Sequence, residues 1–421
     1  MIRGSRPRAF ALLALLALAA CGGGGAGSSL PPPPPPLPTG SNVAPLIVDA
    51  GPKQLGVNLP SVTVTLCVPG TTTCQTIDHI LVDTGSTGLR IVAEALAPVM
   101  FSLPAAKTAA NDPMYQCLLF ADGYAWGSVR SADVQLADGK AGSLAIQLIG
   151  DPGSPTAPAD CTGIPSVPSQ NTVAEIGANG ILGISVFLQD CGAGCDPVTG
   201  SANPNGQGFY YGCPASGCVN VTVTLAAQLQ NPVSQFATNN NGVSIFLPAI
   251  TAVGKPTVAG ALVLGIDTQS NNQLGSATVL SVSPLSGNFT TVFNGKTYTG
   301  AGFMDSGSNG NFFDDPALKA CTLNVGFYCP ATAVTLSATN QGVGASSATS
   351  TVSFSVASLD ALSNANPTFA AYNNIAGPMP ATVSGFDWGL PFFFGRSVTV
   401  AFEGPTTTSA GPGPFFAYAD F

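Results

Sequence analysis

The chain has 421 residues, with 12 Lys+Arg against 21 Asp+Glu, a net charge of −9 and a single histidine. So acidic a chain offers no basic surface to a nucleic-acid backbone, and no nucleic-acid partner is expected. One histidine cannot build a His-rich zinc hydrolase, and no phosphate- or dinucleotide-binding glycine fingerprint follows a strand-like run.

In chain order, Arg3, Arg6 and Arg8 precede an apolar stretch over 9–20 and then Cys21. A charged start, an apolar segment too short to span a bilayer and a small-residue cleavage site predict a lipoprotein signal peptide over 1–20. Cys21 is then the acylated residue, and the Gly22 that follows favours the outer membrane. An exported lipoprotein of a Gram-negative envelope is expected, on its periplasmic or surface face, with the lipid as its membrane contact. Residues 21–45, with four consecutive glycines and six consecutive prolines, read as a tether.

Short runs, mostly β-branched, at 61–67, 77–82, 132–136, 221–225, 278–282 and 398–402 recur between Gly, Pro, Asn and Ser. This is an all-β pattern with many turns. Helix is expected only over 224–231 and 314–322, the second started by Asp314-Asp315-Pro316. Residues 190–218, rich in Gly, Pro and Cys, read as an insertion, and 339–350 as a surface loop.

Ten cysteines follow Cys21, an even number that in an exported chain reads as up to five disulfides. Cys67/Cys74 and Cys321/Cys329 are plausible short-loop pairs. Cys191 and Cys195 with Cys213 and Cys218 fit either disulfides or a zinc ligand set. An oxidising compartment favours disulfides, and neither metal nor cofactor is expected.

Two segments repeat one another: Ile80-Leu81-Val82-Asp83-Thr84-Gly85-Ser86 and Gly302-Phe303-Met304-Asp305-Ser306-Gly307-Ser308. Each is an apolar run delivering a carboxylate at a strand-to-turn junction. Two carboxylates held close share one proton, so one can act as base while the other acts as acid. His79 falls four residues before Asp83, about 13 Å away on the same strand face if the strand is regular. It therefore reads as structural, and Ser-His-Asp or Cys-His chemistry has no base.

The order of these segments resembles the pepsin-like, two-lobed aspartic peptidases. Gly123-Tyr124-Ala125-Trp126-Gly127-Ser128 falls where that family has its flap hairpin. Tyr124 is the candidate flap residue, and Trp126 its alternative. Ile181-Leu182-Gly183 and Pro391-Phe392-Phe393-Phe394-Gly395-Arg396 resemble the segments that brace the two catalytic loops. The resemblance implies an all-β, bilobal pepsin-like fold with the active-site cleft between two β lobes, over 46–270 and 271–421. It implies Asp83 and Asp305 as catalytic residues and Thr84 and Ser306 as bridges between the loops. Gly85, Ser86, Gly307 and Ser308 would support the carboxylates.

The run Cys74-Gln75-Thr76-Ile77-Asp78-His79-Ile80-Leu81-Val82-Asp83-Thr84-Gly85 also resembles a group of Gram-negative lipoproteins of unknown function. The tryptophan that peptidases of this type often carry after the first motif is replaced by Thr87-Gly88-Leu89-Arg90. Arg90 would either lower the pKa of the carboxylate pair or face solvent in an ion pair. Two functions follow: a monomeric, membrane-tethered aspartic endopeptidase acting on peptide or protein, or a non-catalytic binding or structural envelope lipoprotein on the same fold.

Overall fold

The computed structural model describes residues 35–121, 123–162, 167–202, 209–344, 348–380 and 383–421. The expected signal peptide, Cys21 and most of the tether lie outside them. The end of the segment read as tether is not a spacer: residues 43–45 open the strand Val43–Asp49, which pairs with Val258–Leu264.

The supports of the two motifs are the same three-strand unit built twice. In the first, Cys74–Asp83 runs parallel to Gly180–Ile184, placing Asp83 opposite Gly183. The chain turns and returns as Thr87–Val92, antiparallel on the far side of Gly180–Ile184. In the second, Lys296–Met304 runs parallel to Phe386–Trp388, and Asn311–Phe312 returns on that strand's far side. In the first unit the strands beside the loop are covered on both faces, so continuous apolar runs replace the alternation of a half-exposed strand, whereas Lys296–Met304 of the second keeps an alternating, partly exposed pattern. Ile80, Leu81, Val82, Leu89, Ile91, Val92, Ile181 and Leu182 are all buried.

A sheet of 15 strands and one of seven carry the two lobes. The division does not fall cleanly at residue 270. Thr278–Ser281, Arg396–Ala401 and Phe415–Asp420 join the larger sheet, the middle strand pairing with Gly242–Leu247. The end of the chain thus ties the lobes together. The second lobe's core is aromatic: Phe313 stacks on Phe386 at 5.0 Å, and Phe293 meets both edge-on at 4.8 and 5.4 Å. Such pairs add to the area they bury.

Four sequence expectations need correction. Residues 314–322 form no helix, because the Asp315 carboxylate accepts from Ala317 N–H and its own N–H goes to the Tyr328 hydroxyl. Local side-chain bonds of this kind compete with the helix. Of 224–231 only the single 3-10 turn Leu225–Ala227 is helical. The run 221–225 is no strand, since Val223 N–H donates to the insertion at Cys195. The loop at 339–350 is shorter, because Val334–Gln341 and Thr349–Val356 form a hairpin with the Thr339 and Thr351 hydroxyls 2.8 Å apart. The helices present are elsewhere. Val173–Ile176 starts at a Thr172/Glu175 capping box, Leu359–Ala365 is capped by Ser358, and Leu390–Phe393 carries Pro391 in its first turn.

All ten cysteines after Cys21 are paired: Cys67–Cys74, Cys117–Cys161, Cys191–Cys195, Cys213–Cys218 and Cys321–Cys329. The four cysteines of the insertion are therefore disulfides, not zinc ligands. Five disulfides mark an oxidising, exported environment. Among the described residues no helix is long and apolar enough to cross a membrane.

Cys117–Cys161 closes the longest loop, with a sequence separation of 44. Replacing both residues with Ser is expected to lower stability by about 4 kcal/mol through the freed unfolded chain. Denaturant titration of the pair beside the parent checks this, and an unchanged midpoint would contradict it.

Candidate active site

The two Asp loops meet through hydroxyl groups that reach across to the opposite lobe. Thr84 Oγ1 donates to Met304 O at 2.9 Å and accepts from Ser306 N–H at 2.9 Å. Reciprocally, Ser306 Oγ donates to Val82 O at 2.6 Å and accepts from Thr84 N–H at 3.2 Å. Both side chains are buried, so none of these bonds competes with water.

Each carboxylate is held by the same set of donors. Gly85 N–H donates to Asp83 Oδ1 and Gly307 N–H to Asp305 Oδ1, both at 2.8 Å. The Ser86 hydroxyl donates to Asp83 Oδ2, and that of Ser308 to Asp305 Oδ2 at 2.9 Å. The two carboxyls lie within hydrogen-bonding reach of each other. Burial first, and then the Asp83 charge, push Asp305 well above the ordinary carboxylate range. Two carboxyls so close disfavour ionising together.

The glycines are fixed by this closeness. A Cβ on Gly85 would lie 2.7 Å from Asp305 Cγ, and one on Gly307 would lie 2.8 Å from Asp83 Oδ1. Gly85→Ala must push the carboxyls apart, and a misplacement of that order is expected to reduce any turnover about 10²-fold. Kinetics of the variant beside its thermal melt separate this from unfolding.

The second bracing segment is not the one expected. Asp305 N–H donates to Trp388 O, and Leu390 N–H to Ser308 O. The brace is therefore Asp387-Trp388-Gly389, as Ile181-Leu182-Gly183 is in the first lobe. A Cβ on Gly389 would meet Gly310 O at 1.9 Å, and one on Gly183 would meet Ser86 Oγ at 2.8 Å. Pro391 to Phe394 instead form the short helix and its cap.

The strands Met114–Leu119 and Tyr124–Leu136 form the hairpin expected as a flap. Tyr124 begins the second strand, half-buried and bridged to Ser169. Trp126 is buried, stacked on Tyr115 at 5.5 Å and edge-on to Tyr211 at 5.2 Å, and its indole N–H goes to Pro155 O. It presents no free polar atom to a substrate. The insertion strand Tyr210–Gly212 pairs with Met114–Leu119, and Cys117 is bonded to Cys161, so this hairpin is braced.

Arg90 does not face solvent. It is fully buried, gives Nη1 to Thr87 O at 2.7 Å and pairs with Asp190 at 3.2 Å. Asp190 also takes hydrogen bonds from Tyr210 and Gln116, which links the insertion to the strand leaving the Asp83 loop. His79 bonds Asp49 at 3.2 Å and adopts φ 50° at a bulge, so the expected alternation from His79 to Asp83 is broken.

The sequence reading overlooked Asn58 and Asp387. Asn58 spans the lobes, donating to Asn309 O and Tyr372 O at 2.8 Å each and accepting from Tyr372 N–H. Asp387 stands in the brace, and it differs from its first-lobe counterpart in being a carboxylic acid.

Two β lobes, each handing an Asp-(Thr/Ser)-Gly-Ser loop to the other across a bridged junction, define the pepsin-like aspartic peptidase fold. The chain belongs to the family described as "Protein of unknown function (DUF3443)", whose model matches residues 38–418. Among solved structures it is similar to the aspartic proteinase from Irpex lacteus, at 13% identity and a TM-score of 0.48, over 90% of this chain and 96% of that one. No curated protein matches the chain.

Proposed function

We propose that the chain is an aspartic endopeptidase whose Asp83/Asp305 pair hydrolyses peptide bonds through a water held between the two carboxyls. The observation that carries this reading is the matched support of the two carboxyls, with the Asp305 carboxyl held above the ordinary range and each loop locked by the other's hydroxyl. The ionised member takes a proton from the water, and the protonated member gives its own to the scissile carbonyl oxygen. Amide and hydroxyl donors fix the carboxyls before substrate arrives, so little reorganisation is needed. An extended peptide would lie across the cleft and add strand-like hydrogen bonds. Cys21 would anchor the enzyme by lipid to the outer membrane of a Gram-negative cell.

The test is incubation of the purified chain with a mixture of denatured proteins from acid to neutral pH. Cleavage in acid that a statine-type transition-state mimic blocks is the expected result. A folded, disulfide-intact chain that cleaves nothing favours the second reading, a binding lipoprotein. The observation on that side is the hairpin strapped by Cys117–Cys161 and the insertion.

A further inference from the structure

Asp387 breaks the internal repeat of the molecule. It pairs with Phe303 just as Ile181 pairs with Leu81, so the two lobes place Ile and Asp at equivalent points beneath the catalytic loops. Ile181 is a buried apolar residue, as a brace between central strands requires. Asp387 is 4% exposed, and its Oδ1 has no hydrogen-bond partner.

Among the described residues no cation compensates it. The groups that act on it are Asp305, the Ser308 side chain and Asp83. On the antiparallel side the partner strand Asn311–Phe312 brings no titratable group. An ionised carboxylate here would be buried, unpaired and facing two other carboxyls. Burial first, then those neighbours, raise Asp387 well above the usual carboxylate range, which favours its neutral form with a hydrogen to donate. The Ser308 hydroxyl beside it has given its own hydrogen to Asp305 Oδ2, at 2.9 Å, and has lone pairs left to accept.

We propose that Asp387 is a third carboxyl of the site, a proton-bearing positioning residue that donates to the Ser308 hydroxyl and so directs the Ser308 hydrogen onto Asp305. Ionised, it would compete with Asp305 for that same hydrogen. Its kinetic consequence rests on the peptidase reading; its protonation and its link to Ser308 do not.

Two variants separate these. Asp387→Asn keeps the size and an N–H donor but cannot ionise, and Asp387→Leu removes the donor. The parent takes up a proton at Asp387 on folding, so its stability falls as pH rises above the unfolded carboxyl value of about 3.9. In Asp387→Asn that fall should be shallower by about one proton in its pH slope. Asp387→Leu and Ser308→Ala should be non-additive in stability, as contacting residues are.

For cleavage, Asp387→Asn should keep its acid-side kcat and hold it to higher pH. Asp387→Leu should lose about tenfold in kcat at unchanged KM, the worth of one hydrogen bond. An unchanged stability slope in Asp387→Asn, or strict additivity with Ser308→Ala, overturns the proposal whether or not the chain cleaves anything. A parent that is folded but inactive, with the slope and the coupling as expected, overturns the peptidase reading and leaves Asp387 as assigned.

Discussion

Asp305→Asn is expected to reduce peptide cleavage by about 10²–10⁴-fold while the protein stays folded. Asparagine has the same shape and still accepts from Gly307 N–H, the bond that Asp305 Oδ1 receives at 2.8 Å. What it lacks is the proton that burial and Asp83 keep on the pair. Asp83→Asn should cost as much, and the double variant little more, because the two carboxyls act as one unit.

Stability should move the other way. The folded Asp305 binds its proton more tightly than the unfolded chain does. The stability this confers is fully present below about pH 3.9 and is lost as pH rises through the raised folded value. Removing the titration should therefore leave Asp305→Asn more stable than the parent at neutral pH and flatter in its pH dependence. Kinetics and melts of the same preparation check both. Normal turnover in Asp305→Asn would remove the carboxyl pair from the mechanism.

Arg90→Met should cost about 3–5 kcal/mol, the usual loss when one partner of a buried ion pair is removed. Its guanidinium is fully buried and joins the Thr87 carbonyl to Asp190. Without it Asp190 is left with Tyr210 and Gln116 alone. Burial already lifts Asp190 to about 6. With Arg90 gone it should be neutral at higher pH still, so the loss should be smaller in acid than above neutrality. A second change, Asp190→Asn, should recover part of it. Urea titrations at two pH values read both effects, and a loss that is the same in acid and above neutrality would mean that Arg90 matters by packing, not charge.

The two loops were legible because apolar runs ending in Asp-(Thr/Ser)-Gly-Ser carry their meaning locally. A strand, a turn and a carboxylate follow from residues that touch one another in sequence. The second brace was not legible in this way. Pro391 to Arg396 are more hydrophobic than Phe386 to Gly389, but a brace is selected by register against Met304 and by a glycine with no room for a Cβ. Neither is visible in composition. Asp387 was hidden for the same reason, since a lone Asp before Trp reads as a turn residue until its strand is placed.

Cys67–Cys74 and Cys321–Cys329 could be read as short-loop pairs from spacing, whereas the closer Cys191–Cys195 and Cys213–Cys218 equally fitted a zinc ligand set. Cys117–Cys161, at a separation of 44, could not be read from spacing. The capping residues Thr172 and Ser358, which start helices, were not singled out in the sequence.

The bonds between Thr84 and Ser306 join residues 222 apart in sequence. Contacts so distant form late, after the loop between them has been closed. Neither lobe supplies a complete set of donors for its own loop. A chain that has folded only its first half therefore holds one carboxyl, supported by Gly85 and Ser86, without its partner from the second lobe. Any acid–base chemistry of the pair would therefore begin only once the two lobes have met.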